Sequence, residues 1–317
     1  MKIVILDGFT LNPGDLDWGE LERLGDLQEY DRTPQDKVIE RALGAEIVFT
    51  NKTVLGADIL AGLPELKYIG VLATGYDVVD VLSAGERGVV GTNVPGYGPE
   101  SVAQMVFAHI LNITNNVAAH AQDVSKGGWS SNDDFCYWLT PQIELKGKGL
   151  GIIGYGEIGR AVASLGNAFG MNIFINSRTA PQQLPEHYQV MDLETLLSTA
   201  DIVSLHCPLT EHTRHMINEK KLQLMKPSAI LINCSRGPLI DETSLAKALE
   251  ENVIAAAGLD VLTIEPPLQE NVLFNTKHCY ITPHIAWATK EARARLMGIA
   301  IDNLKAFLQG KGVNVVT

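Results

Sequence analysis

Cationic residues are scarce in this chain of 317 residues: 25 Lys and Arg stand against 37 Asp and Glu, for a net charge of −12. A field of that sign disfavours nucleic acid and anionic membrane surfaces as partners. An anionic ligand would need locally placed cations and backbone N–H groups. Cysteine is also rare. Cys136, Cys207, Cys234 and Cys279 have neither C-x-x-C nor metal-ligand spacing, which argues against a metal site and for a reduced, cytoplasmic protein. No apolar run approaches the length of a membrane span, and no internal repeat or low-complexity segment occurs. The opening residues 1–7 read as a β-strand, too short and too soon acidic for a signal peptide. With 46% hydrophobic and 20% charged residues, what remains is a folded globular protein large enough for two cores.

Short apolar runs alternate with helical patterns, which predicts parallel α/β architecture. Strands are expected at 2–6, 46–50, 68–72 and 89–92, then at 150–153, 172–176, 201–206, 229–233, 255–259 and 280–281. Helices are expected at 34–43, as one long apolar helix at 99–125, and at 290–308. Residues 127–134 read as a polar loop between domains.

The sequence Ile153-Gly154-Tyr155-Gly156-Glu157-Ile158-Gly159 places G-x-G-x-x-G after an apolar strand and before a helical pattern. Gly154 permits the tight turn, Gly156 admits a pyrophosphate to the backbone, and Gly159 lets helix and strand pack closely. The anion would rest on the helix N-terminus. This fingerprint normally opens its domain, yet about 150 residues precede it here. The expected arrangement is therefore discontinuous. Residues 1–97 and 288–317 form a flavodoxin-like, doubly wound substrate domain, and a Rossmann domain, 98–287, is inserted into it. Substrate would lie in the cleft between them.

Three stretches after the fingerprint carry candidate chemistry: Asn233-Cys234-Ser235-Arg236-Gly237, then Gly258 to Pro267 with Asp260 and Glu265, then Thr282-Pro283-His284-Ile285-Ala286-Trp287. With Ala73-Thr74-Gly75-Tyr76-Asp77, Asn93-Val94-Pro95-Gly96-Tyr97 and Asp134-Phe135-Cys136-Tyr137-Trp138, this ordered set resembles the D-isomer-specific 2-hydroxyacid dehydrogenases over nearly the whole chain. Within them it looks most like the hydroxypyruvate/glyoxylate reductases, or glycerate dehydrogenases. The resemblance implies NAD(P)H-dependent reduction of a 2-oxo acid, with Arg236, Glu265 and His284 as the catalytic group. The chemistry of these residues agrees. Histidine titrates near neutral pH and can donate a proton as hydride arrives. A carboxylate bonded to the imidazole favours its charged form. An arginine fork suits a carboxylate and the neighbouring carbonyl oxygen.

The resemblance also implies a cofactor site lined by Val102, Tyr155, Glu157, Ile158, Cys207, Pro208, Thr213, Cys234, Ser235, Asp260 and Ala286. For the substrate it implies the backbone of Ala73, Thr74 and Gly75, with Lys52, Trp287 and Trp138. Bland alternatives stay open: Lys52 as an exposed lysine, Asp260 as a strand-end cap, and Trp287 as a packed side chain. His206 either lines the site or packs. The apolar residues 102–108 suggest a homodimer interface, with burial between the domains as the alternative.

An NAD enzyme carries an acidic residue about 20 positions beyond the first glycine, to bond the ribose hydroxyls. Ser177, Arg178 and Thr179 occupy that region. Serine cannot repel a 2′-phosphate, and arginine can bond it, so NADP is the expected cofactor, with NAD as the alternative. D-lactate or another D-2-hydroxy acid remains open as substrate. A different class, a nucleotide-sensing binding protein similar to the fold's corepressors, is disfavoured by the intact Arg–Glu–His set.

Overall fold

A computed structural model describes residues 1–179 and 184–317. The chain divides into two compact units: Met1–Gly98 with Trp287–Thr317, and Pro99–Ala286.

The first unit holds a five-stranded parallel sheet. Its strands are β1 (Lys2–Ile5), β2 (Asp26–Glu29), β3 (Ile47–Thr50), β4 (Tyr68–Val71) and β5 (Val90–Thr92), in the order β2-β1-β3-β4-β5. This is the flavodoxin-like order. Strands β3 and β4 are buried along their whole length, the reason such strands read as unbroken apolar runs. On one face, Val4, Val48 and Ile69 pack with Val38, Ile59 and Leu60 from short helices. On the other, Ile3, Ile5, Phe49 and Tyr68 pack with Leu296, Met297, Ala300, Ile301 and Leu304. Those last residues belong to the helix Lys290–Leu308, so the final segment covers one face of the unit's sheet. Polar contacts fix it there. Arg293 is almost fully buried, forks onto Asp15 at 2.7 and 2.8 Å, and donates to the Leu11 carbonyl at 2.9 Å. The Asn303 amide donates to the Asn93 carbonyl at 2.9 Å, and the Gly91 N–H to the Thr317 hydroxyl at 3.0 Å.

The second unit holds seven parallel strands: β6 (Gly149–Ile153), β7 (Asn172–Asn176), β8 (Gln189–Val190), β9 (Ile202–Leu205), β10 (Ile230–Asn233), β11 (Ala256–Leu259) and β12 (Cys279–Ile281). Their order is β12-β11-β10-β9-β6-β7-β8. Strand order reverses between β6 and β9, the switch point at which such sheets bind ligands.

Four expectations need correction. The helix expected over 99–125 is two helices, Pro99–Asn115 and Val117–Ser125. Asn116 between them is left-handed, with φ 51°, a conformation asparagine tolerates better than most residues. The apolar residues of 102–108 do not form an open face: Val102, Ala103, Val106 and Phe107 are buried in the second unit's own core, with Leu150, Ile152, Val162 and Ile230. The polar loop 127–134 lies inside the second unit rather than between the two. The helix expected at 34–43 is a 3-10 turn, Gln35–Lys37, followed by Val38–Ala42. Strands β2 and β8 were not expected. The first is nearly all polar and the second has two exposed residues, so neither shows the apolar alternation that marks a strand. Among the described residues, no helix is long and apolar enough to cross a membrane, and no three His, Cys, Asp or Glu side chains are grouped to hold a metal ion.

Candidate active site

Apart from Val102, on the helix Pro99–Asn115, and Trp138, after the helix Val117–Ser125, each candidate of the second unit follows the carboxyl end of a strand. Gly154 ends β6 with φ 95°. A side-chain carbon there would lie 2.6 Å from the Cys207 nitrogen and the His206 carbonyl carbon, so the turn after β6 presses directly on the backbone after β9. Gly159 is as constrained: its Cβ would stand 2.2 Å from the Gly154 oxygen. Gly156 differs. A Cβ there would meet nothing within 4 Å, although the residue caps the helix Glu157–Ala168. The Glu157 and Ile158 amides precede the first helical bond, Arg160 N–H to the Gly156 carbonyl at 2.9 Å. Open space over a glycine at a helix N-terminus fits the pyrophosphate of a dinucleotide. Tyr155 lies under the Arg160 guanidinium, 5.6 Å from its ring centre.

At the end of β7, Asn176 donates to the Met191 carbonyl at 2.9 Å, leaving Ser177 half-buried and Arg178 and Thr179 exposed. Among the described residues Arg178 has no ion-pair partner. After β9, the Cys207 carbonyl accepts the Ser235 hydroxyl at 3.1 Å, and the Thr213 hydroxyl ties to the Pro208 carbonyl at 2.8 Å. His206 is partly settled: its Nε2 lies 2.8 Å from the Ser204 hydroxyl, and its buried Nδ1 has no partner among the described residues. Burial pushes this imidazole down to about 3, so it stays neutral.

The loop after β10 presents Arg236. Asn233, fully buried, organises it: its side-chain oxygen accepts the Ser235 N–H at 3.0 Å and its amide donates to the Arg236 carbonyl at 2.9 Å. Cys234 is buried, which pushes its thiol pKa up. A Cβ on Gly237 would lie 2.0 Å from the Leu262 carbonyl carbon, so the Arg236 loop rests on the loop that carries Glu265. The exposed Arg236 guanidinium donates to the Ser235 carbonyl at 2.8 Å.

Glu265 and His284 meet. Nδ1 of His284 is 2.6 Å from Oε2 of Glu265, and Oε1 of Glu265 accepts the Leu262 N–H at 3.0 Å. His284 has φ 54°, a costly left-handed backbone for a non-glycine residue and one that concentrates at functional sites. Its N–H donates to the Asp260 carbonyl at 2.8 Å. Asp260, 1% exposed, caps this loop with its carboxylate, accepting the Thr282 hydroxyl at 2.6 Å and the Ile285 and Ala286 amides at 2.9 and 2.7 Å. Three of its roughly four acceptor positions are thus filled by the protein. The Ala286 carbonyl accepts the Ser101 hydroxyl at 2.6 Å, beside buried Val102.

In the first unit, Lys52 is exposed on a loop built by Asp7. That carboxylate accepts the amides of Asn51, Lys52 and Thr53 at 2.7, 2.6 and 2.7 Å, and the Thr53 hydroxyl at 3.0 Å. Residues 73–75 are anchored by the Val94 N–H on the Ala73 carbonyl at 2.9 Å and by the Thr74 hydroxyl on the Val94 carbonyl at 2.8 Å. Trp287 stacks edge-on to Tyr97 at 6.4 Å. Trp138, in the second unit, is 68% exposed, near Phe135 at 88%. Sequence reasoning missed Asp7 and Asn233, because a lone acid or amide at a strand end carries no motif.

Residues 107–286 match the D-isomer specific 2-hydroxyacid dehydrogenase NAD binding domain. The chain is 48% identical to a hydroxypyruvate reductase of Blautia hydrogenotrophica over 320 residues, covering 100% of this chain and 99% of that protein. It is 39% identical to a glycerate dehydrogenase of Methylorubrum extorquens, covering 99% and 98%. Among solved structures, it is similar to an acyclic imino acid reductase in complex with NADPH and D-Arg, with a TM-score of 0.86 and 31% identity over the whole of both chains.

Proposed function

Because the chain belongs to the D-isomer specific 2-hydroxyacid dehydrogenase family, we propose that it reduces hydroxypyruvate or glyoxylate to D-glycerate or glycolate, with NADPH as the preferred cofactor and His284 as proton donor. The observation that carries this reading is the 2.6 Å pair between His284 Nδ1 and Glu265 Oε2, on a loop beside the one that presents Arg236. With Nδ1 bound to Glu265, the proton that reaches the substrate oxygen is assigned to Nε2, and the carboxylate holds the ring in the orientation that delivers it. Arg236 holds the substrate carboxylate and stabilises the charge growing on the carbonyl oxygen. From the first unit, the backbone amides of Ala73, Thr74 and Gly75 and the Lys52 ammonium are assigned to the same carboxylate.

The reduced nicotinamide supplies the hydride. Gly154, Gly156 and Gly159 with the amides of Glu157 and Ile158 would hold its pyrophosphate, and Ser177, Arg178 and Thr179 the adenosine 2′-phosphate. The exposed Arg178 at the end of β7, with no nearby acid at that position, supports NADP over NAD. A kinetic panel of hydroxypyruvate, glyoxylate and pyruvate with NADPH and NADH tests both choices. The expected result is the highest kcat/KM for hydroxypyruvate or glyoxylate with NADPH. In Arg178→Ala, the NADPH/NADH ratio falls by roughly tenfold or more, the worth of a charge-assisted hydrogen bond. A wild type that favours NADH, or a ratio unmoved by the substitution, overturns the NADP assignment. Highest efficiency with pyruvate overturns the substrate, and cofactor binding without turnover on any of the three leaves a sensor.

We also infer a homodimer. Val102, Ala103, Val106 and Phe107 are buried in the second unit's core, whereas Trp129, Phe135, Trp138 and Leu139, within eleven positions of one another, are exposed large hydrophobic residues of the kind a partner covers. Sedimentation velocity at micromolar concentration should give a dimer, and a monomer there excludes it.

A further inference from the structure

His109 lies deep in the second unit, on the helix Pro99–Asn115, 4% exposed. Its Nε2 is 3.1 Å from the Thr282 hydroxyl oxygen, and that hydroxyl lies 2.6 Å from Asp260 Oδ1. Proton counting orients the chain. An ionised carboxylate only accepts, so the single hydroxyl hydrogen of Thr282 goes to Asp260. The hydroxyl oxygen must then accept, and its donor is Nε2–H of His109. That fixes the His109 tautomer, with the proton on Nε2. Burial holds this imidazole below its ordinary pKa despite the nearby Asp260 charge, consistent with a neutral ring. The room for it is made by Gly258 on β11, where a Cβ would stand 2.8 Å from the His109 Cβ.

The far end of the chain is the loop of His284. The same carboxylate takes the Ile285 and Ala286 amides, and the Asp260 carbonyl takes the His284 N–H. His284 is thereby clamped from both sides in a left-handed conformation its own side chain disfavours. We propose that His109 and Thr282 are positioning residues: through Asp260 they hold the backbone of His284 so that its imidazole keeps its place against Glu265. Neither is among the residues assigned to substrate or cofactor. Linked bonds of this kind reinforce one another in a buried setting, so loss of the Thr282 hydroxyl loosens the clamp rather than a single contact.

This inference rests on the assignment of His284 as proton donor, and the experiment separates the two. Thr282→Val keeps the shape and removes the hydroxyl. Thr282→Ser restores it. Hydroxypyruvate reduction with NADPH is measured for both, and for Thr282→Val combined with His284→Gln. The expected result is a kcat roughly tenfold lower in Thr282→Val with KM for NADPH little changed, since small misplacements of a reacting group cost on that order. Thr282→Ser recovers most of the loss, and Thr282→Val lowers kcat no further once His284 is Gln. His109→Phe, which removes only the outer donor, lowers kcat about threefold on the same reasoning, and it stands in if Thr282→Val fails to fold. An unchanged kcat in Thr282→Val, failure of Thr282→Ser to recover it, or an equal loss in the His284→Gln background each overturns the positioning role. Full turnover by His284→Gln alone overturns instead the proton-donor assignment, and the positioning role with it.

Discussion

His284→Ala lowers kcat for 2-oxo acid reduction by roughly 10²- to 10⁴-fold, the range for loss of a positioned general acid, while cofactor affinity stays within a few-fold. The separation follows from geometry. His284 bonds the carboxylate of Glu265 in the loop after β12, whereas the glycine cradle follows β6, with β11, β10 and β9 lying between those two strands in the sheet. Stopped-flow or steady-state oxidation of NADPH measures the first quantity, and quenching of protein fluorescence by NADPH the second. Near-normal turnover in this variant removes His284 from proton transfer and takes the reading of the Glu265 pair with it. Loss of cofactor binding in parallel with kcat would instead make the residue a structural support of the whole site.

The second large effect divides two glycines that look alike in the motif. Gly156→Ala folds normally, because a methyl group there meets nothing within 4 Å, yet it fills the space assigned to the pyrophosphate. Its melting temperature should match the wild type, and its KM for NADPH should rise by about 10- to 100-fold, as an overpacking cost of 1–3 kcal/mol implies. Gly159→Ala does the reverse first. Its methyl would stand 2.2 Å from the Gly154 oxygen, and this backbone cannot turn aside as a flexible side chain would. The fold itself pays, and the melting temperature drops by several degrees. Thermal melts and NADPH kinetics on the two variants distinguish the cases. Equal melting temperatures, or an unaffected KM in Gly156→Ala, contradict the division of roles.

These variants also mark what could be read in advance. A glycine with open space over it and a glycine that admits a neighbouring backbone stand at the motif's defined spacing, so both were legible. So was the contact between Glu265 and His284, each set in a recognisable run of residues. Strands such as β6, buried on both faces, announced themselves by composition. The supports beneath them were not legible. Asp7 makes four hydrogen bonds to residues 51–53, more than 40 positions away, and His109 reaches Thr282 across 173 positions. No local pattern encodes such pairings. The break at Asn116 was hidden for a related reason: a single left-handed residue interrupts the helix without interrupting its apolar periodicity. The burial of Val102, Ala103, Val106 and Phe107 could not be told from an open apolar face until the packing against β6 and β10 was known.

The helix Lys290–Leu308 closes the first unit's core, and Arg293 locks it to Asp15 and Leu11. On the ribosome this has a consequence of timing. Strands β1–β5 emerge first, but Ile3, Ile5, Phe49 and Tyr68 must wait for Leu296–Leu304 before their second face is covered. The second unit, whose residues all lie between 99 and 286, is complete while that face is still bare. Of the two units, the one whose strands are made first is therefore the later to finish folding, and a chain truncated before residue 287 carries a finished second unit joined to an uncovered sheet.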